Sequence, residues 1–200
     1  MKILTVPYIS QEKRFPTGCE SVSAVMLLRY LGFSLSVDTF IEKYLQRQNF
    51  EIRDGELWGP DPRKVFCGSP YDPDGFGCYA PVMASALEQA AQGRFRAIDE
   101  TGTPMEKLLT GYIDRGMPVL FWACIDMLPP IPGPSWRLFD SGERFTWISN
   151  EHCMLLVGYD RKGYYFHDPY GGHGLVHYSG RLTWLRHRAQ YEMAVGMRPL

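Results

Sequence analysis

The sequence predicts a single α+β domain: a helical part over roughly residues 1–115 packed on a largely antiparallel sheet over roughly 116–200. Three observations carry this. Apolar residues recur at helical spacing, with start and stop signals, before residue 116. Short apolar or alternating runs broken by turn residues dominate after it. Between the two lies neither a linker nor an internal repeat, and 200 residues that are 45% hydrophobic suffice for one real core.

Residues 1–10 read as a short strand and a turn, and Pro16-Thr17-Gly18 stops extended structure. A helix is then expected from Cys19, since Val22, Val25, Met26 and Arg29 recur at three- and four-residue steps; Gly32 supplies a left-handed stop. Ser36, Asp38 and Thr39 open a second helix through about Gln46. The density of Gly and Pro from Asn49 to Tyr79 excludes a long regular element and predicts a structured loop. Residues 80–92 carry Pro in the first turn, good helix formers after it and Gly93 as a stop. Thr103-Pro104-Met105-Glu106 reads as a capping box, with Gly116 ending its helix. Pro118 to Ile125 suits a central strand, and a second Pro-rich loop, 127–142, follows it. Strands are then expected at Phe145–Ser149, His152–Tyr159, Tyr164–Asp168, Leu175–Tyr178 and Tyr191–Met197.

The formal net charge of -1 provides no basic field for a phosphate backbone, so nucleic acid is not an expected partner. The longest apolar runs fall well short of the roughly 18 residues of a membrane span, and no membrane association is expected. The opening Met1-Lys2-Ile3-Leu4-Thr5-Val6-Pro7 lacks the apolar core of a signal peptide, which makes the cytoplasm the expected compartment and secretion the alternative. Five cysteines cannot all pair, so at least one thiol is free and a disulfide scaffold is not expected. Cys67 and Cys78 flank a Gly/Pro loop, either as a bridge or as two buried thiols.

Cys19 is the sharpest chemical signal. A cysteine in the first turn of a helix meets unpaired backbone N–H groups and the positive end of the dipole, which favour the thiolate. The alternative is a buried structural cysteine, against which Gly18 before it and Glu20 after it speak. A thiolate nucleophile needs an imidazole, and the imidazole needs a group that fixes its tautomer. His152 and Asp168 fit: a hairpin folded about Asp160 sets them opposite one another, whereas a turn centred half a residue later presents His167 instead. Two donors for a developing oxyanion are the Cys19 amide and the side chain of Gln11, which otherwise reads as an exposed loop residue. His167, His173 and His177 are close in sequence but not at ligand spacing, so neither a metal nor a cofactor is predicted. His187, between Arg186 and Arg188, reads as a solvated residue on a surface helix. Cys153 alternates with His152 and is expected in the core. Trp58, Trp122, Trp136 and Trp147 are expected to fill the core rather than line a groove. Phosphate-loop, Cys-x-x-Cys and Gly-x-Ser-x-Gly motifs are absent.

Val6-Pro7-Tyr8-Ile9-Ser10-Gln11 followed by Pro16-Thr17-Gly18-Cys19-Glu20-Ser21 resembles the start of stand-alone papain-like cysteine peptidases, relatives of the bacteriocin-leader-processing peptidases. The resemblance continues through Phe66-Cys67-Gly68, Gly75-Phe76-Gly77-Cys78-Tyr79-Ala80 and the run from Glu151 to Asp160, and closes on Asp168-Pro169. It implies a papain-like fold and a thiol hydrolase acting on a peptide or small amide through an acyl-enzyme. In it Cys19 is the nucleophile, His152 the general acid and base, Asp168 the orienting carboxylate and Gln11 the oxyanion donor. An acyltransferase or transpeptidase using the same site, or a non-catalytic peptide-binding module, would share these motifs. The membrane and ATPase segments of the transporter-linked relatives are missing from this sequence, which turns the expectation away from double-glycine leader cleavage during export.

Overall fold

The computed structural model describes residues 1–200. Five helices form: α1 (Cys19–Tyr30), α2 (Val37–Lys43), α3 (Ala80–Ala90), α4 (Met105–Gly111) and α5 (Gly180–Ala189). The strands of the first half are β1 (Lys2–Ile3), β2 (Arg47–Gln48), β3 (Glu51–Arg53), β4 (Glu56–Gly59), β5 (Phe66–Cys67) and β6 (Phe95–Asp99). Those of the second are β7 (Val119–Cys124), β8 (Pro132–Leu138), β9 (Arg144–Ile148), β10 (Glu151–Tyr159), β11 (Gly163–Asp168), β12 (Gly174–Ser179) and β13 (Ala194–Pro199).

The main sheet is antiparallel, in the order β12-β11-β10-β7-β13-β6, with β1 added to the far end of β10. Its β1 and β6 come from the earlier, mostly helical part of the chain, and α5 comes from the later part. Every residue of β7 is buried, which requires cover on both faces. α1 packs on β10 and β7, and α5 packs on β7, β11 and β12. α1 is apolar nearly all round, with residues 19–28 all buried, so it lies inside the molecule. It ends as expected: Gly32 adopts φ +84° and the Phe33 N–H reaches the Leu28 carbonyl.

Several local expectations change. α2 stops at Lys43 because the chain next pairs Arg47–Gln48 with Phe66–Cys67 in parallel. The capping box does not form: Pro104 occupies the cap, and the Thr103 hydroxyl donates to Glu100 instead. Both Pro-rich stretches contain strand, in a second sheet ordered β3-β4-β8-β9. β8 carries Pro132 and Pro134 at its irregular start, where ladder pairing is interrupted and a missing N–H does no harm. This sheet closes over an aromatic cluster in which Trp136 lies 5.0–5.1 Å, centroid to centroid, from Phe50, Phe76 and Phe145. Trp122 and Trp136 are buried as expected, whereas Trp147, though buried, also lines a cleft and Trp58 is only half-buried beneath Arg53. All five cysteines are free thiols, Cys67 and Cys78 included, and all are buried. No helix is long and apolar enough to cross a membrane.

His187 is not solvated. It is 5% exposed, stacks on Phe121 at 3.9 Å and donates from Nδ1 to the Trp122 carbonyl at 2.9 Å. Its Nε2 has no partner, and burial, opposed only by the Trp122 hydrogen bond, pushes its pKa down to about 4. The unfolded chain, with a histidine near 6.5, takes up a proton between those values that the folded chain refuses. Stability is therefore complete above pH 6.5 and falls by about 3 kcal/mol as pH drops towards 4. In urea unfolding at pH 7 and pH 4.5, His187→Phe is expected to show a much smaller drop in midpoint than the parent. An equal drop in both would show that His187 is not the group responsible.

Candidate active site

The site lies where the first turn of α1 meets the start of β10 and the end of β11. Gly18 sits at the cap without a side-chain hydrogen bond to the helix. Close packing demands glycine there, because a Cβ would stand 2.8 Å from the Cβ of Phe15. Cys19 follows, 6% exposed, and its backbone N–H is among the first of the helix, which have no intrahelical acceptor.

His152 and Asp168 come together, but by a register other than the expected one. The hairpin turns over Asp160–Gly163, with Tyr159 opposite Tyr164 and Gly158 opposite Tyr165. Asp160 holds that turn by accepting from the Lys162 and Gly163 N–H groups. Continued unbroken, this pairing would put Asp168 opposite Leu155, on the face away from His152. A bulge between Leu156 and Gly158 inserts one residue, after which Leu156 opposes Phe166 and Leu155 opposes His167. Asp168 then falls across from Met154, on the His152 face and two residues along. From there His152 Nε2 meets Asp168 Oδ1 at 2.7 Å, with the two side chains 2% and 1% exposed. The Tyr170 N–H also donates to Oδ1 at 2.9 Å. Burial alone would raise the Asp168 pKa, but the imidazole and the Tyr170 amide outweigh it and hold it below the usual carboxylate value. His167, on the other face, has no partner for Nδ1, and burial lowers its pKa.

Gln11 is 3% exposed rather than solvated. Its backbone N–H donates to Pro169 O at 2.9 Å, and Tyr8 donates its hydroxyl to Asp168 O at 3.0 Å, so the amino-terminal segment is tied to the residues that carry the carboxylate. Gln11 Nε2 donates to Pro16 O at 3.0 Å, and Oε1 has no partner. Gln11, Cys19, Glu151, His152, Trp147 and Tyr170 all line one cleft of about 210 Å³. Pro134 of the second sheet adds to its wall, so the Pro-rich stretch borders the site without filling it.

Two residues depart from the sequence reading: Glu20, which there spoke against burial of Cys19, is buried together with it, and Glu151 carried no reading of its own. Glu20 is fully buried, and its carboxylate accepts from the Cys78 N–H at 2.7 Å and from the Cys19 thiol at 3.3 Å. Glu151, beside His152, is buried with Oε1 unpartnered. Gly77 makes room for both: a Cβ there would be 2.5 Å from Glu20 Oε1 and 3.2 Å from Glu151 Oε2. A signal for them existed, since each is a charge directly beside Cys19 or His152 at the start of an otherwise apolar run. Burial raises the Glu20 pKa to about 7. Burial and the nearby Glu20 push Glu151 well above the carboxylate range.

These neighbours act on the Cys19 thiol against the helix terminus. Burial, then Glu20 and Glu151, push its thiol well up, against the single favourable contact from the Cys153 N–H at 3.4 Å. A helix terminus contributes only about 0.3–1 kcal/mol at a typical site, too little to offset burial beside two carboxyls. Each of these influences favours the protonated form of Cys19.

Residues 3–193 match the Peptidase_C39 like family. The chain belongs to that family. It is 26% identical over 159 residues, 79% of this chain, to "Uncharacterized protein YvpB" of Bacillus subtilis (strain 168). The match spans 60% of that curated relative's length. A crystal structure from Bacillus anthracis, provisionally described as a C39-like peptidase, superposes with a TM-score of 0.86 at 23% identity, covering 100% of this chain and 98% of that one. The mixed α/β architecture with its antiparallel sheet is thus the C39-like peptidase fold.

Glu20→Gln keeps an acceptor for the Cys78 N–H and removes a charge beside the sulfur. At pH 8 it is expected to speed iodoacetamide labelling of Cys19, followed by peptide mapping, by about tenfold, equivalent to one pKa unit. Unchanged or slower labelling would show that the carboxylate does not govern the thiol.

Proposed function

We propose that this chain is a cysteine peptidase that cleaves a peptide or small amide through an acyl-enzyme on Cys19. The observation that carries the reading is the commitment of His152 Nε2 to Asp168. That bond leaves Nδ1 as the nitrogen free for chemistry, on a residue lining the same cleft as Cys19. Family membership and fold support a peptidase-like role.

In the first step His152 Nδ1 takes the thiol proton as sulfur attacks the carbonyl carbon. Asp168 holds the imidazole in the required tautomer and stabilises the imidazolium. The oxyanion takes hydrogen bonds from the Cys19 backbone N–H and from the Gln11 Nε2 hydrogen not used by Pro16. The intermediate collapses with cleavage of the C–N bond, and the imidazolium protonates the departing amine. Water, deprotonated by the same imidazole, then attacks the thioester, releasing the acid and restoring the thiol. The upward push on the Cys19 thiol suits this sequence, because proton removal accompanies attack and no preformed ion pair is needed.

The test is a peptide library read by mass spectrometry with and without an added amine acceptor. Hydrolysed products are expected from the parent protein; Cys19→Ala and His152→Ala should lose at least about a thousandfold in turnover, and Gln11→Ala about 10²–10³ in kcat. Amine adducts in place of acids would mark an acyltransferase. No product, together with no labelling by an electrophilic activity probe, would leave a peptide-binding module.

A further inference from the structure

The sulfur of Cys19 and the carboxyl oxygens of Glu20 and Glu151 converge so closely that one ligand atom from each lies within 4.8 Å of the other two. The three residues are 6%, 0% and 7% exposed. One acid in such a place is ordinary; three acidic groups facing one another without an intervening cation are not, because burying charge is costly unless something neutralises it. No Lys or Arg forms an ion pair with either carboxylate.

A second, independent feature comes from another part of the chain. Gln11 Oε1, on a side chain 3% exposed, lines the same cleft and has no hydrogen-bond partner. Glu151 Oε1 is likewise unpartnered. Unpartnered acceptor oxygens on two residues that share a cleft with a thiol ask for an electron-poor ligand.

We propose that Cys19, Glu20 and Glu151 form a site for a thiophilic divalent cation, with zinc(II) as the reference ion, whose binding silences the catalytic thiol. The silencing rests on the peptidase reading; the site itself does not. Zinc bonds of about 2.3 Å to sulfur and 2.0–2.2 Å to oxygen put tetrahedral ligands about 3.3–3.8 Å apart. Small side-chain rotations bring atoms already within 4.8 Å to that spacing. On binding, the thiol proton and any proton the carboxyl pair holds pass to solvent, while sulfur and the two oxygens donate their electron pairs to the cation. Three protein ligands leave the fourth position open to the cleft, for water or for Gln11 Oε1. A hard, strongly hydrated ion such as magnesium prefers oxygen ligands and gains little from the sulfur.

Cobalt(II) added to the reduced full-length protein provides the direct readout, as a near-ultraviolet thiolate-to-cobalt band that zinc displaces. The band should vanish in Cys19→Ser and weaken in affinity by at least tenfold in Glu20→Gln and in Glu151→Gln. It should survive in His152→Ala. Loss in His152→Ala with no change in the glutamine variants would place the ion between the thiol and the imidazole, and would overturn the proposal. So would the absence of any band. Unaltered protein gives a second measurement: zinc, but not magnesium, should protect Cys19 from iodoacetamide, and equal labelling with both ions would count as refutation. Cobalt binding in a protein that cleaves nothing would sink the peptidase reading alone. Cleavage that zinc does not inhibit would sink this one alone.

Discussion

A buried hydrogen bond between an imidazole and a carboxylate is worth having only when both partners are held in place, since removing one strands the other's charge at a cost of about 3–5 kcal/mol. His152 and Asp168 meet that condition at 2.7 Å, and much of the surrounding structure serves to maintain it. β7 fixes β10 from one side and β11 approaches from the other. The Tyr170 amide shares the carboxylate, and the carbonyls of Asp168 and Pro169 hold Tyr8 and Gln11. A segment of three residues thus orients the His152 ring and ties down the stretch that carries Gln11.

The thiol belongs to a different electrostatic regime. The dipole of α1 would assist a thiolate at its first turn, but desolvation and two neighbouring carboxyls act in the opposite sense and are larger. Cys19, Glu20 and Glu151 converge in one buried place, where the missing Cβ of Gly77 leaves room for the two carboxyls. The chemistry available there is set less by the helix terminus than by what occupies the space between sulfur and oxygen.

Much of this was legible in the sequence. The α+β class, α1 starting at Cys19, the stop at Gly32, the buried β7 and the five strands after residue 143 follow from periodicity and turn chemistry, which are local. The pairing of β4 with β8 and the strand at Pro132–Leu138 were not legible, because they depend on contacts across many residues that override the usual meaning of proline. Gln11, Cys19 and His152 line one cleft and Asp168 grips His152, as their types and order implied. The acid pair was hidden because sequence reads Glu20 and Glu151 as ordinary polar neighbours; only the fold makes them buried. His187 shows the converse, a flanking pair of arginines masking a ring stacked inside the molecule.

The irregularity between Leu156 and Gly158 has a consequence for how this hairpin can diverge. Residues gained or lost at the solvent-facing tip, around Arg161 and Lys162, change only the length of a connection. With the bulge setting Leu156 opposite Phe166, a single deletion in β11, at His167, would bring Asp168 opposite Leu155 and turn its carboxylate to the face away from His152. Tolerance to insertion and deletion in this part of the chain is therefore asymmetric: permissive at the apex, and forbidding in the strand that returns from it.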